Sequence, residues 1–138
     1  MKISIRSTLA LALLLAVSSV AGAKDLESTP QAKVYRASLK AIADGDYAAY
    51  TKCMTSEAVK EIEKQTKELG KTPKDGMELM KAMAPSDIKF TDLKVDGKKA
   101  VLKATGKQDK EVMYGSIDVA EENGQWKVGR QSWSNTKE

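Results

Sequence analysis

The sequence predicts an α+β domain in which N-terminal helices pack on a curved, mainly antiparallel four-stranded sheet. Three observations carry this prediction. Apolar residues recur at three- and four-residue spacing up to Met83, they alternate with polar ones from Ile88 onward, and the turn signals "DGKK" and "ENGQ" punctuate the alternating half. A helical half followed by a run of strands is the α+β order, unlike the alternation of a parallel sheet.

The helical elements follow in order. "TPQAKVYRASLKAIADGD" opens with Thr29 as N-cap and Pro30 at the first helical position, where its missing N–H leaves nothing unpaired. Tyr35, Leu39 and Ile42 line one face with Ala43 beside them, and Gly45 ends the helix in a left-handed conformation. Asp46 then starts a short helix, "YAAYTKCM", and "TSEAVKEIEKQTKELG" follows with Ala58, Ile62 and Leu69 facing one way. Thr72, Pro73 and Asp75 repeat the start chemistry as a capping box, and Met77, Met80 and Ala84 share one side before Pro85 stops the helix. Methionines at this spacing, Met83 included, are read as adaptable core.

In the first strand, "IKFTDLKV", Ile88 and Phe90 share a face, but Leu93 and Val95 change parity, which predicts a bulge. "AVLKATG", "EVMYGSIDVA" and "QWKVGRQSWS" supply the other strands. On the third, Met113, Gly115, Ile117 and Val119 form the more apolar set and are expected under the helices; one bulge would reverse that parity. On the fourth, strict alternation puts Trp126, Val128, Arg130 and Ser132 on one face, and Gln131 and Trp133 on the other. Trp126 reads as core; Arg130, in phase with it, must reach solvent or an acidic partner.

Residues 1–23 read as a signal peptide, with Lys2 and Arg6 before an apolar run and "AGA" at the cleavage point. The chain is therefore expected to be secreted, to the periplasm or outside the cell, without stable membrane insertion after cleavage. Residues 24–29 read as a flexible lead and 30–136 as a single domain. Losing Lys2 and Arg6 halves the formal charge of +4. The remaining lysines are scattered among acids, so no nucleic-acid surface is expected. Cys53 is the only cysteine. It reads as a small buried hydrophobe, with a bridge across a homodimer and a reactive thiol as the alternatives.

Three stretches, "YRASLKAIADGDYAAYTKCMTSEA", "DGKKAVLKATG" and "VAEENGQWKV", resemble the NTF2-like superfamily, in particular its small exported bacterial members of uncharacterised function. The resemblance implies an NTF2-like cone, with a short helix covering the opening. It implies no reaction, because the carboxylate–tyrosine pattern of isomerase-like members is not matched and the histidine of dehydratase-like members has no counterpart.

The chain contains no histidine, so neither a Ser–His–Asp arrangement nor a histidine metal site can be built. "DGD" at Asp44, Gly45 and Asp46 lacks the ligand spacing of a calcium loop and reads as a helix stop and restart. No cofactor, metal or catalytic residue is assigned. The leading reading is a non-catalytic exported domain that binds a small apolar ligand or an envelope protein. Its candidate ligand-binding residues are Tyr114, Asp118, Arg130, Trp133 and Tyr50 around a concave space between sheet and helices. The alternatives are a small isomerase- or hydrolase-like enzyme built on Tyr114, Asp118 and Arg130, and a structural role through the exposed sheet.

Overall fold

The computed structural model describes residues 23–137; residues 1–22 of the expected export signal lie outside the described residues. Five helices come first: α1 (Ala23–Leu26), α2 (Pro30–Asp44), α3 (Tyr47–Lys52), α4 (Ser56–Glu68) and α5 (Pro73–Met83). Four strands follow, β1 (Ser86–Asp96), β2 (Lys99–Gln108), β3 (Glu111–Glu122) and β4 (Gln125–Ser134). The stretch 24–29, expected as a flexible lead, holds most of α1, whose Leu26 is buried.

The caps at Thr29, Asp46 and Thr72 are those the sequence signals, and Thr55 adds one for α4. Thr29 accepts from the Ala32 N–H at 3.2 Å, Asp46 from Ala49 at 3.0 Å and Thr55 from Ala58 at 3.1 Å. Gly45 sits at φ 68° and ends α2, so "DGD" is spent on stopping one helix and starting the next. Thr72 and Asp75 bond reciprocally, and the Thr72 backbone and hydroxyl hold the Asp75 carboxyl below its ordinary value. Two residues depart from the expected apolar faces: Leu69 is 67% exposed at the end of α4, and Met83 is 60% exposed at the end of α5.

All strands are antiparallel in the order β1-β2-β3-β4. Gly97 (φ 61°) and the pair Asn123 and Gly124 (φ 53° and 79°) occupy the turns signalled by "DGKK" and "ENGQ". The third turn has no glycine; Asp109 takes the left-handed position at φ 57°. Each strand thus returns beside its predecessor through a tight hairpin, and no long connection carries β1 back to β4. The result is an open meander with two edges. The expected curved, cone-forming sheet, and with it the NTF2-like fold, is corrected to an α+β arrangement of N-terminal helices on an open four-stranded sheet.

One face of the sheet carries the core. Ala100, Leu102, Ala104 and Gly106 of β2 pair with Val119, Ile117, Gly115 and Met113 of β3, and these are the residues under the helices. The odd-numbered set of β3 is therefore inward, as its apolar character predicts. On β1, a register shift between Phe90 and Asp92 restores the apolar phase, so Phe90 faces Ala104 and Leu93 faces Leu102. Tyr35, Leu102, Ile117 and Val128 are 0% exposed, and Tyr50, Met77 and Val119 are 2% exposed. These buried side chains make up the interface between sheet and helices where the concave ligand space was expected. Among the described residues no helix is long and apolar enough to cross a membrane.

Both sheet edges are partly covered. The backbone of Cys53, Met54 and Thr55 runs beside β4: Thr55 N donates to Val128 O at 2.9 Å, and Val128 N donates to Cys53 O at 2.7 Å. Arg36 Nη2 donates to Ile88 O on β1 at 2.6 Å while pairing with Glu27. The Glu122 carboxylate accepts from Ser56 N and Oγ at 3.2 and 3.0 Å, placing a negative charge on the first turn of α4.

Adjacent residues on β3 test the assignment of faces. Ile117→Ala is expected to lose about 2–5 kcal/mol of stability. Asp118→Ala, on the exposed side, is expected to stay within about 0.5 kcal/mol of the parent in urea unfolding. Comparable losses at both positions would overturn the assignment.

Candidate functional site

The last strand departs from strict alternation. Val119 pairs with Val128 and Ile117 with Gln131, so two residues of β3 span three of β4, and the extra residue falls at Gly129 and Arg130. Beyond this bulge the phase inverts. Gln131 and Trp133 join Trp126 and Val128 on the helix side, and Arg130 is turned out to solvent. The two tryptophans, expected on opposite faces, share one. Trp126, expected as core, is half-buried opposite Glu121.

Trp133 lies across the sheet where β2 and β3 have no side chains. A methyl group at Gly115, its partner in register, would stand 2.7 Å from Cη2 and Cζ2 of the indole. One at Gly106 would stand 3.2 Å from its Cζ3. Two glycines thus form the seat of a half-buried indole. Its Nε1–H donates to Gln131 Oε1 at 3.2 Å, and the Tyr35 hydroxyl donates to the same oxygen at 2.9 Å. Indole N–H can only donate, which fixes the amide with its oxygen toward the ring. Tyr35 also meets Phe90 edge-on, with centroids 6.0 Å apart, and the Arg36 guanidinium lies 4.7 Å from the Phe90 centroid. Through Tyr35, α2 links the two edge strands.

At the β2–β3 hairpin Trp133 borders a cleft of about 700 Å³ with Met113, Gln108, Asp109, Lys110, Glu111, Ser134 and Asn135. A smaller cleft of about 240 Å³ lies between α2, the end of α5 and β1, with an apolar floor that includes Leu39, Ile42 and Pro85.

The five residues singled out in the sequence do not converge. Tyr114 and Asp118 project from the uncovered face of β3, and Arg130 is exposed at the bulge beside Asp118. Four positions separate Tyr114 from Asp118 on one strand, which is about 13 Å at 3.3 Å per residue. Tyr50 is buried in α3 and belongs to the core; only Trp133 lines a cleft. Among the described residues no group of three or more acids and cysteine is placed to hold a metal ion. Cys53 is half-buried, and burial pushes its thiol up despite the nearby Lys127 ammonium, so the reactive thiolate is disfavoured.

Sequence reasoning missed Gln131, Gly106, Gly115 and the hairpin residues Gln108 to Glu111. The available signal was Gly129, an isolated glycine inside a strand pattern, which marks a bulge.

No protein-family model matches this chain, and no curated protein matches it. Together with the open meander this withdraws the NTF2-like resemblance. The stretches that carried it are capping and hairpin chemistry: "DGD" joins α2 to α3, and "NGQWK" turns β3 into β4. Any α+β chain with those turns would use the same residues.

Two outcomes follow from this geometry. Gly115→Ala drives a methyl into the indole and is expected to shift Trp133 fluorescence to the red and destabilise the fold by about 1–3 kcal/mol; unchanged emission and unfolding would overturn the seat. Burial raises Tyr35 and Tyr50 from the ordinary 10.0 to about 12. The folded state then keeps protons that the unfolded state releases. Stability is intact below pH 10.0 and falls between 10.0 and about 12, so phenolate absorbance should rise in two stages, the later one coinciding with unfolding.

Proposed function

We propose that this chain is an exported, non-catalytic binding domain that holds a small ligand against Trp133 in the cleft at the β2–β3 hairpin. The seat of Trp133 carries this reading. Trp126, also half-buried, borders neither of the two clefts, whereas Trp133 borders the larger of them. The Trp133 indole is half-buried, supported from below by Gly106 and Gly115, and tethered through Nε1 to Gln131. Rigid support beneath a partly open aromatic surface lowers the entropy lost on binding. Tyr114 and Asp118 line neither of the two clefts described.

A second reading, docking of an envelope protein on the uncovered sheet face, is favoured by Val112, which is 48% exposed on the same face as Tyr114.

Native mass spectrometry of protein recovered from the cell envelope tests the main reading. The expected species begins at Lys24 and carries a discrete small-molecule adduct that is lost in Trp133→Ala. Bare protein, or an adduct retained equally by the variant, would overturn the cleft as the binding site. An uncleaved chain in the cytosolic fraction would overturn export.

A further inference from the structure

We propose that the Trp133 cleft takes a short neutral oligosaccharide, with a pyranose ring stacked on the indole and its hydroxyls bonded to the hairpin rim. This rests on the cleft being the ligand site and names the class of molecule that fits it.

A sugar presents two surfaces at once. One is a flat patch of C–H groups that packs on an aromatic face; the other is a girdle of hydroxyls that both donate and accept hydrogen bonds. Trp133 matches the first. Gly115 and Gly106 let the indole lie against the sheet, and their backbones stop it from sinking further. The Nε1–H is already committed to Gln131, which restrains rotation of the ring and leaves its carbon surface, not its donor, for a ligand.

The rim matches the second surface. The amides of Gln108 and Asn135 each donate and accept, the carboxylates of Asp109 and Glu111 accept, and the Lys110 ammonium donates. Asp109 is held at φ 57° in a two-residue turn, so the rim sits on a short hairpin with defined register from Gln108 to Glu111.

Other ligand classes fit less well. Only Met113 and Trp133 of the lining are apolar, so a hydrocarbon would strip water from the polar rim without replacing its hydrogen bonds. This narrows the apolar ligand expected from the sequence to a polar one with an apolar face. An anion would meet two carboxylates and one ammonium. An organic cation would meet Lys110 between the two acids. The cleft, about 700 Å³, is open on one side, so a bound ring would keep its outer face in water.

The test uses cellotetraose and tri-N-acetylchitotriose, added to protein in which Trp126→Phe leaves Trp133 as the sole tryptophan. The expected result is a saturable blue shift of Trp133 emission with at least one of the two sugars, insensitive to ionic strength. Calorimetry should show affinity about tenfold weaker in the Gln108→Ala/Asn135→Ala double variant, which alters only exposed hairpin and terminal residues and should melt with the parent. Trp133→Ala should abolish binding. No saturable shift with either sugar overturns the inference, as does a shift that survives the double variant unchanged. If choline produces the shift while both sugars are silent, the sugar class fails and the cleft stands as a ligand site. If the envelope adduct is lost in Trp133→Ala while both sugars are silent, the conclusion is the same.

Discussion

The inner face of the sheet beyond Val128 depends on one extra residue in β4. Without it, strict alternation would place Trp133 and Gln131 in solvent and turn Arg130 toward the helices. The bulge at Gly129 and Arg130 inverts this order in a single step. An arginine in the core would require a partner or a large desolvation cost. Turning it outward and bringing an indole inward resolves two conflicts with one backbone irregularity. A Cβ at Gly129 would meet the Asp118 carbonyl of the opposite strand at 3.4 Å, an ordinary contact, so the bulge has room for a side chain there.

The register shifts all lie in the edge-strand pairings. Two occur between β1 and β2 and one between β3 and β4, while β2 and β3 pair without interruption. A regular central pair sets the rows, and the outer strands adjust to keep their apolar residues in phase. The same edges are guarded by Arg36 on β1 and by the Cys53–Thr55 backbone on β4, which satisfies backbone groups that would otherwise invite another strand. Cys53 thus contributes through its carbonyl while its thiol stays protonated.

Much of the fold was legible where local chemistry has a single reading. Thr29 with Pro30, Gly45 with Asp46, and Thr72 with Asp75 each announce a helix boundary because orphan N–H groups demand those caps. The parity change between Phe90 and Leu93 announced the β1 bulge. The β4 bulge had Gly129 as its one sequence signal, because the other residues alternate well enough without it; the pairing partners locate the slip. The openness of the sheet was equally hidden, since hairpin signals specify neighbours but not whether the first and last strands meet. Of the five residues singled out for binding, Trp133 reaches a cleft. Tyr114, Asp118 and Arg130 share the far side of the sheet, and Tyr50 is committed to packing. Gln131 drew no attention because a glutamine becomes a junction only when a tyrosine from another element finds it.

The glycine beneath Trp133 couples two positions that lie far apart in sequence. A side chain at position 115 would meet the indole at 2.7 Å, so it is accommodated only if Trp133 moves. The dependence runs one way: a smaller residue at 133 leaves room above Gly115, whereas a larger one at 115 displaces the indole and with it the wall of the cleft.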